Sequence, residues 1–484
     1  MSASSHSNPA HAWRDLPHHE PPKRSPADRL ADFLEIYGSF DEETARQEAR
    51  RCIQCPEPQC VAMCPFGNRI PEWLLLTAEG HFVEAATLCA QTSVLPEICA
   101  RLCPQDCLCE AGCILAEKSA PVAIGSIERF LNDYAARHGL EPAQPAPRNG
   151  CKVAVLGSGP AGLACASELE RRGYAVTVFE SHSTPGGLLV SGVPAFKLDK
   201  SVVEYRLEHL RKRGVEFRLG MKAGADLTFD RLRQEFDAIF LAFGAPRARK
   251  LEVPGADLVG VVPALPFIIR HNTGLPVEVP QADVAGKRVV VLGGGDTAMD
   301  CLRTAIRAGA REAVCICRRD EAGLRANRRE YENAVEEGAR FRFQTLPLEV
   351  IGDPEGRVAG LRCARVEPAP VGEGTATPQP IPGSEYVEPA DLVLVAYGFE
   401  ASPSAYLNQL GELARDERGS VMVDEHLMTS VPGIFAGSDL VRGPGLVVQS
   451  VRDARRAAAE IHAYLDQRRL RENWADQTDH VASE

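Results

Sequence analysis

Val153-Ala-Val-Leu-Gly157-Ser-Gly159-Pro160-Ala161-Gly162 decides the fold. An apolar β run, Val153 to Leu156, breaks into a glycine turn, and a helical pattern of Leu163, Ala166 and Leu169 follows. Gly157 permits the turn, Gly159 lets backbone approach a diphosphate, and Gly162 lets the helix sit close on the strand. Pro160 and Ala161 open that helix, whose free N–H groups and positive end face an anion. A second β run, Ala175 to Phe179, ends at Glu180. In a dinucleotide fold an acid at that place holds a ribose hydroxyl pair.

The phrase recurs. Val289-Val-Val-Leu-Gly293-Gly-Gly295-Asp296-Thr297-Ala298 repeats strand, glycine turn and helix, with Ala298 in the third glycine's place, which the fingerprint allows. Two such units in one chain predict two dinucleotide-binding domains. The first resumes near the C-terminus, where Val421–Val423 and Ile434–Phe435 read as short strands and Val447–Leu465 as a long helix. The second unit is therefore expected to be inserted in the first.

The remaining chain bounds the answer. Its 484 residues, 44% hydrophobic and 25% charged, suit two to four globular domains. A net charge of −12 argues against nucleic acid, whose binding needs a basic footprint. No apolar run approaches membrane-spanning length, and no secretory signal is visible, so a cytoplasmic protein is expected. Residues 1–25 read as a disordered arm. Leu30, Phe33, Leu34 and Tyr37 recur at helical spacing, and Asp41 starts a helix through Arg51. Residues 70–92 and Val122–His138 give further helical patterns, and Glu141–Gly150 is a Pro-rich linker. The expected divisions are a helical domain over 26–140, a linker over 141–150, and a first dinucleotide domain over 151–285 and 401–470. The second occupies 286–400, and 471–484 is a tail.

Ten of the 16 cysteines fall between Cys52 and Cys113. Their spacing is Cys52-x2-Cys55-x4-Cys60-x3-Cys64-Pro65, then Cys99-x3-Cys103-x3-Cys107-x-Cys109-x3-Cys113. Without a secretory signal, metal ligation explains them better than disulfides. A Cys-Pro ending recurs in bacterial ferredoxin runs, whose last cysteine serves the other cluster. Zinc is the alternative, although only Cys52 and Cys55 form the paired unit it favours. Cys89, in a helical apolar pattern, reads as core.

After Val289–Leu292 the next strand, Ala313–Cys317, ends in Arg318-Arg319. Cations there suit a 2′-phosphate and so NADPH, whereas Asp320 and Glu321 leave NADH open. Gly186-Gly187 with Leu188, Gly244, and Gly437 with Asp439 fit backbone passages and a carboxylate beside the first nucleotide. Gly398 is a similar passage in the second unit. Val447 and Val448 begin the last helix and are expected to face a flavin ring. No side chain is needed as nucleophile, acid or base, so no catalytic residue is expected.

These phrases, with Asn68-x-Ile70-Pro71-x-Trp73, Pro96-Glu-Ile, Cys103-Pro-Gln-Asp and Arg318-Arg-Asp, resemble the small (β) subunit of bacterial NADPH-dependent glutamate synthase from about Arg29 to about Leu465. Dihydropyrimidine dehydrogenases share the module. The resemblance implies an N-terminal all-helical iron–sulfur domain followed by two Rossmann-like α/β domains. It implies FAD on the first, NADPH on the second, and two [4Fe-4S] clusters. One cluster falls on Cys52, Cys55, Cys60 and Cys113, the other on Cys64, Cys103, Cys109 and Glu128. The implied partner is a large (α) subunit that makes glutamate from glutamine and 2-oxoglutarate. The alternative is a reductase subunit for another acceptor, a pyrimidine reductase or a ferredoxin-linked transhydrogenase. Three departures stand out: Ser438 replaces the family's glycine, Ala322–Asn327 replaces a Met-Pro-Gly turn, and the segment Phe267–Gly286 is shorter than in close relatives.

Overall fold

Hydrophobic strand runs flanked by glycine turns form the predicted sheets in the computed structural model, which describes residues 9–140, 146–245, 247–274, 283–367, 379–400 and 413–482. Residues 1–8 of the expected arm, 141–145 of the linker, 401–412, and 483–484 of the tail lie outside the described residues.

The N-terminal unit is helical: α1 (Pro26–Leu30), α2 (Glu42–Ala49), α3 (Gln59–Ala62), α4 (Ile70–Glu79), α5 (Phe82–Thr92), α6 (Pro96–Leu102) and α7 (Ile124–Arg137). Asp41 caps α2 by accepting from Thr44 N, as its sequence position predicts. The pattern over 70–92 is two helices, because Gly80 takes a left-handed conformation (φ 87°) and ends α4. Trp73, Phe130 and Leu131 are fully buried in the core that joins α2, α4, α5 and α7.

Two expectations here are corrected. Residues 31–40 are not helical; Phe40 is buried in the helical core, while Ile36 and Phe33 lie against Phe196, so the apolar spacing serves a wedged extended segment. Residues 9–25 are not a disordered arm. Pro9–Arg14 form a 3-10 helix, Trp13 packs on the helical core, and buried Glu48 accepts from His19 N at 2.9 Å.

The first dinucleotide unit is a parallel sheet of β1 (Lys152–Leu156), β2 (Ala175–Phe179), β3 (Glu216–Arg218), β4 (Ala238–Leu241) and β15 (Ile434–Ala436), in the order β15-β4-β1-β2-β3. Helices α8 (Pro160–Arg171), α9 (Leu188–Ser191), α10 (Lys200–Lys212) and α11 (Phe229–Glu235) belong to it. A crossover strand, β5 (Arg247–Ala248), leads out to β6 (Val261–Pro263) and α12 (Ala264–Thr273).

The second parallel sheet adds β7 (Arg288–Leu292), β8 (Glu312–Ile316), β9 (Arg340–Arg342) and β13 (Leu392–Val395), in the order β6-β13-β7-β8-β9. It carries α13 (Asp296–Arg307) and α14 (Arg328–Glu336). An antiparallel layer of β10 (Thr345–Gly352), β11 (Val358–Arg365) and β12 (Tyr386–Pro389) covers one face through Val350, Leu361 and Cys363. The chain returns through β14 (Phe399–Glu400), which pairs antiparallel with β5. It then completes the first sheet where β15 pairs β4. The insertion expected from motif order is thereby observed.

The short α15 (Asp439–Arg442) and the long α16 (Val447–Ala482) close the chain. Val448, Val451, Ala454, Ala458, Ile461 and Leu465 of α16 pack into the first unit's core. The helix runs beyond Leu465 into the expected tail, because no proline or glycine occurs there to stop it. Val421 and Val423, expected in a strand, make only isolated bridges. Among the described residues no helix is long and apolar enough to cross a membrane.

Candidate functional site

Each glycine phrase builds a similar cradle. Gly157 (φ 111°) and Gly293 (φ 141°) take conformations that L side chains rarely adopt. A Cβ on them would strike the carbonyls of Ala242 and Ala396. Gly159 and Gly295, at the starts of α8 and α13, have nothing within 4 Å of an added Cβ. Neither helix start has a side-chain cap, so its first N–H groups are left for another acceptor, as a diphosphate requires. Ala298 is fully buried, which its small side chain permits.

At the end of β2, Glu180 is 5% exposed and accepts from Ser158 N at 3.0 Å and His182 N at 3.0 Å. Burial pushes its carboxyl up, but hydrogen bonds from Ser158 and His182 outweigh that and hold it below its ordinary value. The Gly186-Gly187 turn folds onto this cradle, with Gly186 N donating to Ser158 Oγ at 2.9 Å and Gly187 against Gly159 Cα. Leu188 beside it is largely exposed. Gly244 and Gly398 both have positive φ and open space where a Cβ would stand.

Asp439 begins α15, and its buried Oδ1 has no hydrogen-bond partner, with the Arg442 guanidinium 3.9 Å away. Burial raises its carboxyl to about 6. Such an orphaned acceptor fits a ligand hydroxyl. Ser438 before it holds φ 66° and ψ −147°, a region populated almost only by glycine. Its Oγ donates to Ser450 Oγ at 2.7 Å. The family's glycine is thus explained by backbone geometry. Replacing Ser438 by glycine is expected to relieve about 1–3 kcal/mol of strain, less the lost hydrogen bond of about 1 kcal/mol. Thermal unfolding of the two proteins, with Tm unchanged or raised in S438G, checks this.

The second cradle is strongly cationic. Arg325 has its pKa lowered by Arg319 first, then by burial, Arg318 and Arg249. Four guanidiniums therefore share one region. The 322–327 loop folds back onto the glycine turn, with Arg325 N and Ala326 N both donating to Gly294 O at 3.0 Å. The two acids that left NADH open are engaged in the loop itself: Asp320 accepts from Gly323 N at 2.8 Å, and Glu321 pairs with Arg328 at 3.1 Å. Asp296 caps the loop, accepting from Asn327 N at 2.9 Å. Thr297 follows it in the first turn of α13. Arg325 and Arg249 escaped sequence reading, since no spacing rule ties a crossover or loop arginine to a strand end.

The cysteines gather in two groups. Cys52, Cys55, Cys60 and Cys113 are close neighbours: burial raises the Cys60 thiol to about 12, with Cys52, Cys113 and Cys55 adding to the rise. Cys64, Cys103, Cys109 and Glu128 line one cavity with Trp73 and Val448. Burial raises Glu128 to about 7 and Cys64 to about 11. A site of buried thiols held neutral by desolvation suits cations that replace their protons. Among the described residues no three donors converge on a single ion. Four thiolates on one zinc stand ~4 Å apart, whereas a four-iron cube gives each thiolate its own corner. The thiols of both groups are the donor type that an iron–sulfur cluster takes. Cys99 is buried beside Cys103, Cys107 is exposed, and buried Cys89 lies 3.5 Å from Glu128 Oε1.

Comparison with known proteins agrees with this geometry. Residues 29–140 match the family described as dihydropyrimidine dehydrogenase domain II, 4Fe-4S cluster, and residues 151–454 match pyridine nucleotide-disulphide oxidoreductase. The chain is 42% identical over 463 residues to the glutamate synthase [NADPH] small chain of Escherichia coli (strain K12), covering 93% of this chain and 98% of that one. It is equally 42% identical to a protein of the same organism named "Putative oxidoreductase UacF", covering 92% of this chain and 71% of that one. Among solved structures, Mycobacterium tuberculosis FprA in complex with NADPH superposes with a TM-score of 0.57 at 21% identity, over 69% of this chain and 89% of that one. That likeness shows the shared fold. With both halves matched and a relative aligned from end to end, the chain belongs to the glutamate synthase [NADPH] small-chain family of oxidoreductases.

Proposed function

We propose that the chain is the electron-input subunit of a glutamate synthase. FAD and two [4Fe-4S] clusters, held by the residues below, would supply the redox chemistry: a hydride accepted from NADPH as an electron pair, then one-electron steps through the clusters. The chain's own residues bind and align. Gly157, Gly159, Pro160, Ala161, Gly162 and Glu180 hold the first nucleotide, and Asp439 accepts from its polyol chain. Gly293, Gly295 and Ala298 seat the second diphosphate, and Arg318, Arg319 and Arg325 take the 2′-phosphate. Cys52, Cys55, Cys60 and Cys113 hold one cluster, and Cys64, Cys103, Cys109 and Glu128 hold the other.

One observation carries this reading. Val448, at the start of α16 in the first dinucleotide unit, lines the same cavity as Cys64, Cys103, Cys109 and Glu128. The flavin's end of that unit and the second cysteine group thus share a wall. The helix start also offers free N–H groups and its positive end to a reduced flavin. The Cys52 group lies further out, with Met63 and Ile114 exposed beside it, and serves as the exit toward a large subunit in the cytoplasm. The domain divisions we assign are 26–140 for the clusters, 151–245 with 413–470 for FAD, and 261–395 for NADPH. The expected boundary at 285 moves forward because β6 pairs with β13 and α12 packs in the second unit's core.

The test is anaerobic NADPH oxidation by the chain co-purified with a co-expressed large subunit. Oxidation that requires glutamine and 2-oxoglutarate together, with glutamate as product, is expected. Similarity to UacF favours a second reading, in which another acceptor takes the electrons. Dye reduction by NADPH that ignores the substrate pair supports that reading instead.

A further inference from the structure

The inserted dinucleotide unit is tethered to the first by two chain crossings and touches it directly. Lys197 pairs with Asp300 at 3.0 Å, and Asn272 Nδ2 donates to the carbonyls of Ser191 and Val193 at 2.9 Å each. Two chain crossings meet in a ribbon of two residues each, Arg247–Ala248 and Phe399–Glu400. Polar joints between domains permit relative motion by default, and a two-residue ribbon resists bending weakly. Hydride transfer nevertheless demands alignment to within ~0.5 Å of the reactive geometry.

Other contacts supply the missing stiffness. Arg29, from the N-terminal unit, is 1% exposed and reaches Glu336 at 2.6 Å and Glu337 at 3.2 Å at the end of α14. Tyr37 donates to Asn333 Oδ1 at 3.2 Å, and Lys23 pairs with Glu336 at 2.7 Å. Glu337 is held on its other side by Arg303 (2.9 Å) and Arg307 (2.6 Å) of α13. Those two guanidiniums stand 4.3 and 4.2 Å from the ring of Phe196, which belongs to the first unit. A separate contact joins Asn327 Nδ2 to Asp106 Oδ1 at 2.6 Å, between the arginine loop and the second cysteine group.

We infer that the segment Lys23–Tyr37 is a clamp that holds the inserted unit in one orientation over the first, with Arg29 as its central positioning residue. Buried, charge-assisted contacts of this kind admit few alternative geometries. Because Ile36 N also donates to Phe196 O at 3.2 Å, the segment spans both units and restricts the joint beyond the direct contacts. The inference concerns the two dinucleotide units and stands whichever acceptor takes the electrons.

Hydrogen exchange of the full, cofactor-loaded chain tests it. In Arg29→Ala, amides of β5, β14 and α14 are expected to exchange about tenfold faster or more, while β1 and β2 keep their rates. Flavin reduction by NADPH slows in the same variant, reduction by dithionite does not, and Arg29→Lys restores part of the loss. If Arg29→Ala does not fold, the double variant Lys23→Ala, Tyr37→Phe decides, because it strands no buried charge; the same regional pattern is expected at smaller size. Exchange in β5, β14 and α14 that stays at the parent rate, or that rises evenly across the chain, overturns the clamp.

Discussion

Replacing Arg319 and Arg325 together by alanine is expected to raise the NADPH concentration for half-maximal flavin reduction by about 100-fold or more, and to leave NADH nearly unaffected. A hydrogen bond to a charged group contributes about 1.5–3 kcal/mol, so two lost contacts to a doubly charged phosphate multiply to that size. The repulsion that Arg319, Arg318 and Arg249 exert on Arg325 has a consequence of its own. The unliganded site is destabilised by like charges, and part of that cost is recovered when phosphate binds. The variant should therefore be more stable than its parent without NADPH and gain less from adding it. Thermal melts with and without NADPH, beside stopped-flow flavin reduction, measure both effects. An equal loss toward NADH and NADPH would contradict a 2′-phosphate site.

Substituting Cys103 by alanine is expected to lower iron by about half and abolish delivery to the acceptor, since a four-iron cluster loses a corner ligand. NADPH-driven reduction of dyes that take electrons from the flavin should persist. Cys107→Ser is the control: its thiol is exposed, and iron should not change. Cluster binding couples to folding, so the Cys103 variant should also melt earlier. Full iron in C103A, or lost iron in C107S, reassigns the ligands.

The parts legible in sequence were those governed by local backbone chemistry. Gly157 and Gly293 each need a positive φ and a close carbonyl, which few other residues tolerate, so the two cradles could be read directly. The insertion followed from motif order alone. Glu128 was proposed only through family resemblance, because a helix carboxylate carries no spacing signal; the fold then places it in one cavity with Cys64 and Cys103. Residues 31–40 misled for a related reason. Their apolar spacing imitates a helix, while Phe33 packs on Phe196 and Ile36 N donates to Phe196 O across the boundary to the first dinucleotide unit, next to Arg29 reaching Glu337 of the second. Tertiary contacts overrode periodicity there. Arg325 was missed because its site is assembled by a loop folding back on Gly294.

The central claim is a continuous path from NADPH through flavin to two clusters within this chain. Anaerobic purification followed by iron, sulfide and flavin quantification, with electron paramagnetic resonance after NADPH addition, tests it most directly. The account predicts a single FAD, about eight irons with matching sulfide, and a cluster signal that NADPH alone develops. Zinc in place of iron, or iron that dithionite reduces and NADPH with flavin present does not, would contradict it.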